Sequence, residues 1–316
     1  MNNQHFQSGH KVLKSVSKAI LGKDYTISRV LIAILARGHI LLEDIPGVGK
    51  TTLALAFSKA LNLKYSRMQF SPDVLPSDIV GFSIFDKETG TLKYTPGVVM
   101  CNLFLADELN RATSRTQSAL LESMEEGQVT VDGVSYALPK PFIVIATQNP
   151  VGAAGTQLLP DSQIDRFMLR LSLGYPSPED ELALLTRKQG AHLLDQVDVV
   201  LASGELARMQ DEVDQVYIDK SILDYIVRLM SETRQHPDIL MGASPRASVA
   251  LSNAVKALAY LQGRDYVVPE DIPPLFRDVI AHRLVLKAEP ENDGSSAADE
   301  ILNEILSFVY MPVANK

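Results

Sequence analysis

The most constraining stretch of this chain is "LLEDIPGVGKTTLALAF", Leu41 to Phe57. "HILLE", His39 to Glu43, is a short apolar run expected as a buried strand, and "TTLALAFSKAL" is expected as a helix. Between them lies most of a phosphate-binding loop, G-x-x-x-x-G-K-[ST], with Gly49, Lys50 and Thr51 in place. Asp44 stands where the pattern has its first glycine.

The physics of such a loop predicts a nucleotide cradle over Asp44, Ile45, Pro46, Gly47, Val48, Gly49, Lys50, Thr51 and Thr52. Backbone N–H groups from Gly47 to Thr52 can wrap phosphates, and Gly47 and Gly49 allow φ > 0 and close backbone approach. The helix N-terminus adds partial positive charge. Lys50 is expected at the β- and γ-phosphates of ATP, and the Thr51 hydroxyl on Mg²⁺. Position 44 precedes most of the donors, so its carboxylate can turn away from the phosphates.

Four further motifs suit phosphoryl chemistry. "NLFLADELNRA", Asn102 to Ala112, is an apolar run ending in two carboxylates. Asp107 is expected to hold Mg²⁺ and Glu108 to orient and polarise the attacking water. "PFIVIATQNP" is a second apolar strand, with Asn149 placed for the same water or the γ-phosphate. "LPDSQIDRFMLRL" carries Arg166, either a local partner of Asp161 or Asp165 or an arginine finger. In "GASPRASVALSNAVKAL", Ser244 suits an N-cap and Pro245 the first helical position. Arg246 then falls in the first turn, where the helix dipole disfavours a cation, which points to an anionic partner, either a phosphate or a nearby carboxylate paired with a surface arginine.

The motif set "EDIPGVGKT", "ADELNRATSRTQSALLESMEEGQVTVDG", "ATQNP", "LPDSQIDRFMLRL" and "GASPRAS" resembles the AAA+ ATPases, and within them the MoxR family, over Val12 to Leu286. MoxR-like proteins often lack the first P-loop glycine, which accommodates Asp44. The resemblance implies that Asn149 is sensor 1, that Arg166 acts on a neighbouring subunit's ATP in a ring, taken as a hexamer, and that Arg246 is sensor 2, acting in cis or in trans. It also implies a chaperone-like remodeller working with a separate von Willebrand factor A-domain protein and a client. Phe82 to Thr95 and Gln128 to Leu138, the latter pivoting on Asp132-Gly133, are expected hairpins. In the family these are inserts that face a central pore.

The fold expected is α/β, a P-loop NTPase parallel sheet flanked by helices over residues 1–173, followed by an all-α lid over 174–316. Stripes such as Leu223, Ile226, Val227, Met230 and Leu251, Ala254, Val255, Leu258 are expected to form the lid core. Lys287 to Asp299 is expected to be a mobile loop. A net charge of −8 argues against nucleic-acid binding, and hence against a DNA-stimulated motor. The other alternative is a nucleotide-switched scaffold with little turnover. The longest aliphatic run, "VLIAILA", is too short to span a membrane, so no membrane insertion and a cytoplasmic location are expected. The single cysteine, Cys101, is expected to be buried and unreactive.

Overall fold

The computed structural model describes residues 3–88, 90–149, 159–187, 193–287 and 294–313. Helices α1 (Asn3–Val16) and α2 (Asp24–Leu35) precede strand β1 (Ile40–Glu43), the glycine turn and helix α3 (Lys50–Ala60). There follow β2 (Tyr65–Gln69), α4 (Pro76–Val80), β3 (Gly81–Asp86), β4 (Thr91–Pro96), β5 (Leu103–Asp107) and α5 (Ser114–Glu126). The hairpin β6 (Gln128–Val131) and β7 (Val134–Ala137) leads to β8 (Ile143–Gln148), α6 (Asp161–Ile164) and β9 (Leu169–Leu171). The remainder comprises α7 (Pro178–Arg187), α8 (Glu205–Asp214), α9 (Lys220–Gln235), β10 (Ile239–Met241), α10 (Pro245–Leu261), α11 (Pro273–Ile280), β11 (Val285–Leu286) and α12 (Gly294–Phe308).

Five strands form one parallel sheet in the order β2-β5-β8-β1-β9. Every residue of β5 and β8 is buried, which is why both read as unbroken apolar runs rather than alternating ones. Helix α3 packs through Leu53, Ala54, Phe57 and Ala60, all fully buried. Each large side chain buried in this way is worth about 1.5–3 kcal/mol. The topology brings the C-terminal ends of all five strands to one edge, where parallel α/β sheets bind ligands.

Both expected hairpins form. Asp132 and Gly133 take φ of 51° and 78°, the pair of positive values that a tight two-residue turn needs. Tyr94 of β4 stacks on Tyr136 of β7 with ring centroids 3.9 Å apart, joining the two hairpins.

Three expectations need correction. In α9 the buried stripe is Ile222, Tyr225, Ile226, Leu229 and Met230, while Leu223 and Val227 face outward. Tyr225, at 0% exposure, lies on the inward face in their place. The helical region is not purely α, since β10 and β11 pair as a short antiparallel ribbon. Helix α12 begins at Gly294, inside the expected loop, whose residues 288–293 lie outside the described residues. The stripe Leu251, Ala254, Val255 and Leu258 is buried as expected. Cys101 is 1% exposed, and burial pushes its thiol up to about 12. Among the described residues, no helix is long and apolar enough to cross a membrane.

Candidate nucleotide site and arginine face

The turn after β1 is built for an anion. Gly47 and Gly49 take φ of 90° and 102°, and none of the described residues lies within 4 Å of where a side chain on Gly47 would begin. Gly49 is the N-cap of α3, and no side chain caps the helix there. The first-turn N–H groups therefore face an open cradle. Lys50 Nζ donates to the carbonyls of Asp44 at 2.6 Å and Ile45 at 3.3 Å. Burial pulls its pKa down, against the opposing charges of Asp44, Asp107 and Glu108. A buried ammonium whose partners among the described residues are carbonyls suits an incoming phosphate, so these residues fit a nucleotide.

A cavity of about 350 Å³ lies over this turn. Pro46, Gly47, Gly49, Lys50, Thr51 and Thr52 of the turn and α3 line it, together with Arg67, Asp107, Glu108 and Asn149 from the strand ends. Ile45 and Val48 do not line it. Asp44 does not either, because its carboxylate points toward Ser172, Leu173 and Gly174.

The acidic pair at the end of β5 is held firmly. Asp107 Oδ1 accepts from Thr147 Oγ1 at 2.7 Å, and Oδ2 from Arg67 at 2.7 Å. Glu108 takes φ of 57°, a strained left-handed conformation for a non-glycine residue, with its N–H on Thr147 Oγ1. Its carboxylate accepts from Arg111 at 2.8 Å and from Asn149 Nδ2 at 3.3 Å. Arg111 first, with Asn149 and Gln69, holds its carboxyl below the usual glutamate range. Thr51 and Asp107 both line the cavity and carry hard oxygens of the kind Mg²⁺ takes.

Arg166 and Arg246 lie elsewhere. Arg166 lines a second cavity, of about 440 Å³, with Glu122, Glu125 and Glu126 of α5. Arg166 Nε is 3.4 Å from Glu125 Oε2, and Arg246 Nη2 donates to Glu125 Oε1. Neither arginine lines the cavity over the glycine turn. Glu125 sits in the last turn of α5 and Arg246 in the first turn of α10, so each charge is misplaced on its own helix. Their pairing resolves both misfits.

The bases of the two arginines are tied as well. Asp165 pairs with Arg283 at 2.8 Å, so it is not the partner of Arg166. Ser244 caps α10 in position only, because its hydroxyl donates to Asp165 at 2.9 Å. Arg283, its side chain 3% exposed, also donates to the carbonyls of Asp165, Phe167 and Met168.

Sequence reasoning missed Arg67, Arg111, Glu125 and Arg283. Arg111 had a usable signal, lying three residues after Glu108, where a helical turn brings the side chains together. The others meet their partners only through tertiary contacts.

Comparison with known proteins agrees with this architecture. Residues 39–169 match the ATPase family associated with various cellular activities (AAA), and residues 231–305 an AAA lid domain. A Bacillus subtilis protein named YeaC is 45% identical over 96% of this chain and 94% of its own length. Chaperone MoxR1 of Mycobacterium tuberculosis is 37% identical over 96% of this chain and 82% of its own. Protein MoxR of Methylorubrum extorquens is 30% identical over 95% and 94%. A solved structure from Cytophaga hutchinsonii, 37% identical, superposes with a TM-score of 0.87 over 98% of this chain and 96% of that one. With its parallel sheet, helical lid and nucleotide cradle, the chain belongs to the MoxR family of AAA+ ATPases.

Proposed function

We propose that the protein hydrolyses ATP with Mg²⁺ in a ring, taken as a hexamer, in which each catalytic pocket is shared by two subunits. The observation that carries this reading is the separation of the arginines from the cradle. Arg166 and Arg246 share Glu125 at one cavity, while Lys50, Asp107, Glu108 and Asn149 line another.

In this reading Lys50 and the N–H groups from Gly47 to Thr52 hold the phosphates, and Thr51 and Asp107 hold the metal. Bound Mg²⁺ would neutralise phosphate charge and polarise the bond to be broken. Glu108 takes the proton of the attacking water and Asn149 orients the carboxylate that does so. Glu108, with its left-handed backbone, lines the cavity. Arg166 and Arg246 leave Glu125 to meet the phosphates of the next subunit, so both act in trans. The proposed division is residues 1–173 and 174–316, with the Ser244 hydroxyl donating across it to Asp165.

Mixing two inactive proteins tests the shared pocket. Lys50→Ala keeps the arginines, and Arg166→Ala keeps the cradle. Mixed rings contain intact junctions, so ATP hydrolysis should reappear. Absence of recovery from mixtures that co-assemble overturns the trans assignment.

The downstream role proposed is chaperone-like remodelling of a client with a separate von Willebrand factor A-domain protein, in the cytoplasm. The hairpin β3–β4 supports partner contact, since Phe85 and Leu92 are 60% and 63% exposed on facing strands.

A further inference from the structure

The residue that breaks the P-loop pattern has three separate jobs in the structure. The Asp44 side chain is buried, and its Oδ1 accepts from Ser172 Oγ at 2.7 Å and from the Gly174 N–H at 3.0 Å. Its Oδ2 accepts from the Leu173 N–H at 2.6 Å. Its carbonyl receives Lys50 Nζ at 2.6 Å. Its N–H donates to Gln148 O at 3.3 Å, one residue before Asn149.

Ser172 to Gly174 leave β9 and begin the run into α7. We infer that Asp44 is a positioning residue that couples the nucleotide cradle to this linker. The inference deepens the proposed function and rests on Lys50 being the phosphate ligand.

A buried carboxylate accepting from two backbone N–H groups and a hydroxyl makes strong, charge-assisted bonds. They fix the linker at Gly174, whose φ of 61° already restricts its path. The other ties on this segment, Thr26 Oγ1 to Ser172 O at 3.1 Å and Lys23 Nζ to Tyr175 O at 2.7 Å, run to α2 and its N-terminus rather than to the cradle. When phosphate oxygens take the Lys50 ammonium, the Asp44 carbonyl loses its donor and the carboxylate loses its nearest loop cation. The residue that registers the ligand is then the one whose side chain grips the linker. Backbone conformation does not require glycine here, since Asp44 is not among the residues with positive φ. A glycine would complete the P-loop pattern and leave the Leu173 and Gly174 N–H groups without this acceptor.

Asp44→Gly therefore gives the test, because motif logic expects a better site from it. The readouts are backbone hydrogen exchange of residues 172–177 with and without ADP, ADP affinity, and kcat against KM. In the wild type, ADP should change exchange across the linker. In Asp44→Gly, the linker amides should exchange roughly tenfold or more faster without ADP, as expected for losing bonds to a charged acceptor. The response to ADP should vanish, and kcat should fall by a larger factor than affinity. Asp44→Asn, which turns an amide NH₂ toward an N–H donor, and Ser172→Ala should move the same amides in the same direction. They carry the test if the glycine variant does not fold. An undiminished linker response in variants that bind ADP overturns the coupling, as does a rise in turnover in Asp44→Gly. Failure of the wild type to bind ADP overturns the reading of the loop itself, and the coupling with it.

Discussion

The two charged regions of this molecule contrast in how their groups are satisfied. Over the glycine turn, Lys50 rests on loop carbonyls and the cradle N–H groups face an open cavity, a ligand-shaped arrangement made within one stretch of chain. At the arginine face, Arg166 and Arg246 come from distant stretches, and a carboxylate of the same chain, Glu125, receives both. The first region presents donors to something absent from its own fold. The second holds its donors on an internal anion. In the proposed function the two regions are halves of one site, completed by a second copy.

The sharpest way to break the comparison is Arg166→Ala. Turnover should fall by about 10³- to 10⁵-fold, the range of arginine fingers, while ATP binding to the cradle persists. Phosphate release and equilibrium nucleotide binding, measured together, decide it. Lost binding would make the two regions one site within a subunit.

Next in size is the buried support of the arginine face. Arg283→Met leaves Asp165 without its guanidinium and should cost about 3 kcal/mol in denaturant unfolding, as for other broken buried pairs. A variant as stable as the wild type would show that Arg283 does not hold the segment around Arg166.

His39 bridges the two regions. Its Nδ1 accepts from the Val144 N–H of β8, and its Nε2 meets Met124 O, next to Glu125. Burial pushes its pKa from 6.5 down to about 4. Between those values the unfolded chain takes up a proton that the folded chain refuses. Stability is thus full above the unfolded value and declines as pH drops toward the folded one, by up to about 3 kcal/mol. His39→Gln should narrow the gap between unfolding free energies at pH 7 and pH 5. The buried His282, shifted in the same sense, keeps part of that gap. An unchanged gap would mean that His39 is not a buried neutral group.

The smallest effect concerns a surface outside both regions. Tyr94→Ala removes the stack on Tyr136 and should cost about 1 kcal/mol, with nucleotide binding unaltered. Altered binding would extend the nucleotide site into the hairpins.

Much of this was legible in advance where the signal is local. Gly47 and Gly49 needed positive φ, and Asp132-Gly133 announced a tight hairpin, because backbone chemistry within a few residues decides such features. The apolar runs ending in Asp107 and near Asn149 were legible because central parallel strands are buried on both faces. Position 44 shows the limit. Its carboxylate was expected to turn from the phosphates, but its reception by Ser172, Leu173 and Gly174 depends on β9 lying beside β1. The outward Leu223 and Val227 show the same limit in α9, where spacing gave the period and packing set the phase.

The cradle and the acidic and polar ends of the strands were readable from residues close together along the chain, and the family from five such local motifs taken in order. Only the tertiary structure decided that Glu125 holds Arg166 and Arg246, that Arg283 and Ser244 fasten Asp165, and that Arg67 faces Asp107. The physical reason is one of range. Backbone dihedrals and hydrophobic periodicity act within a turn or a strand, whereas a charge takes whichever opposite charge the packed elements bring within reach, however far away it lies along the chain.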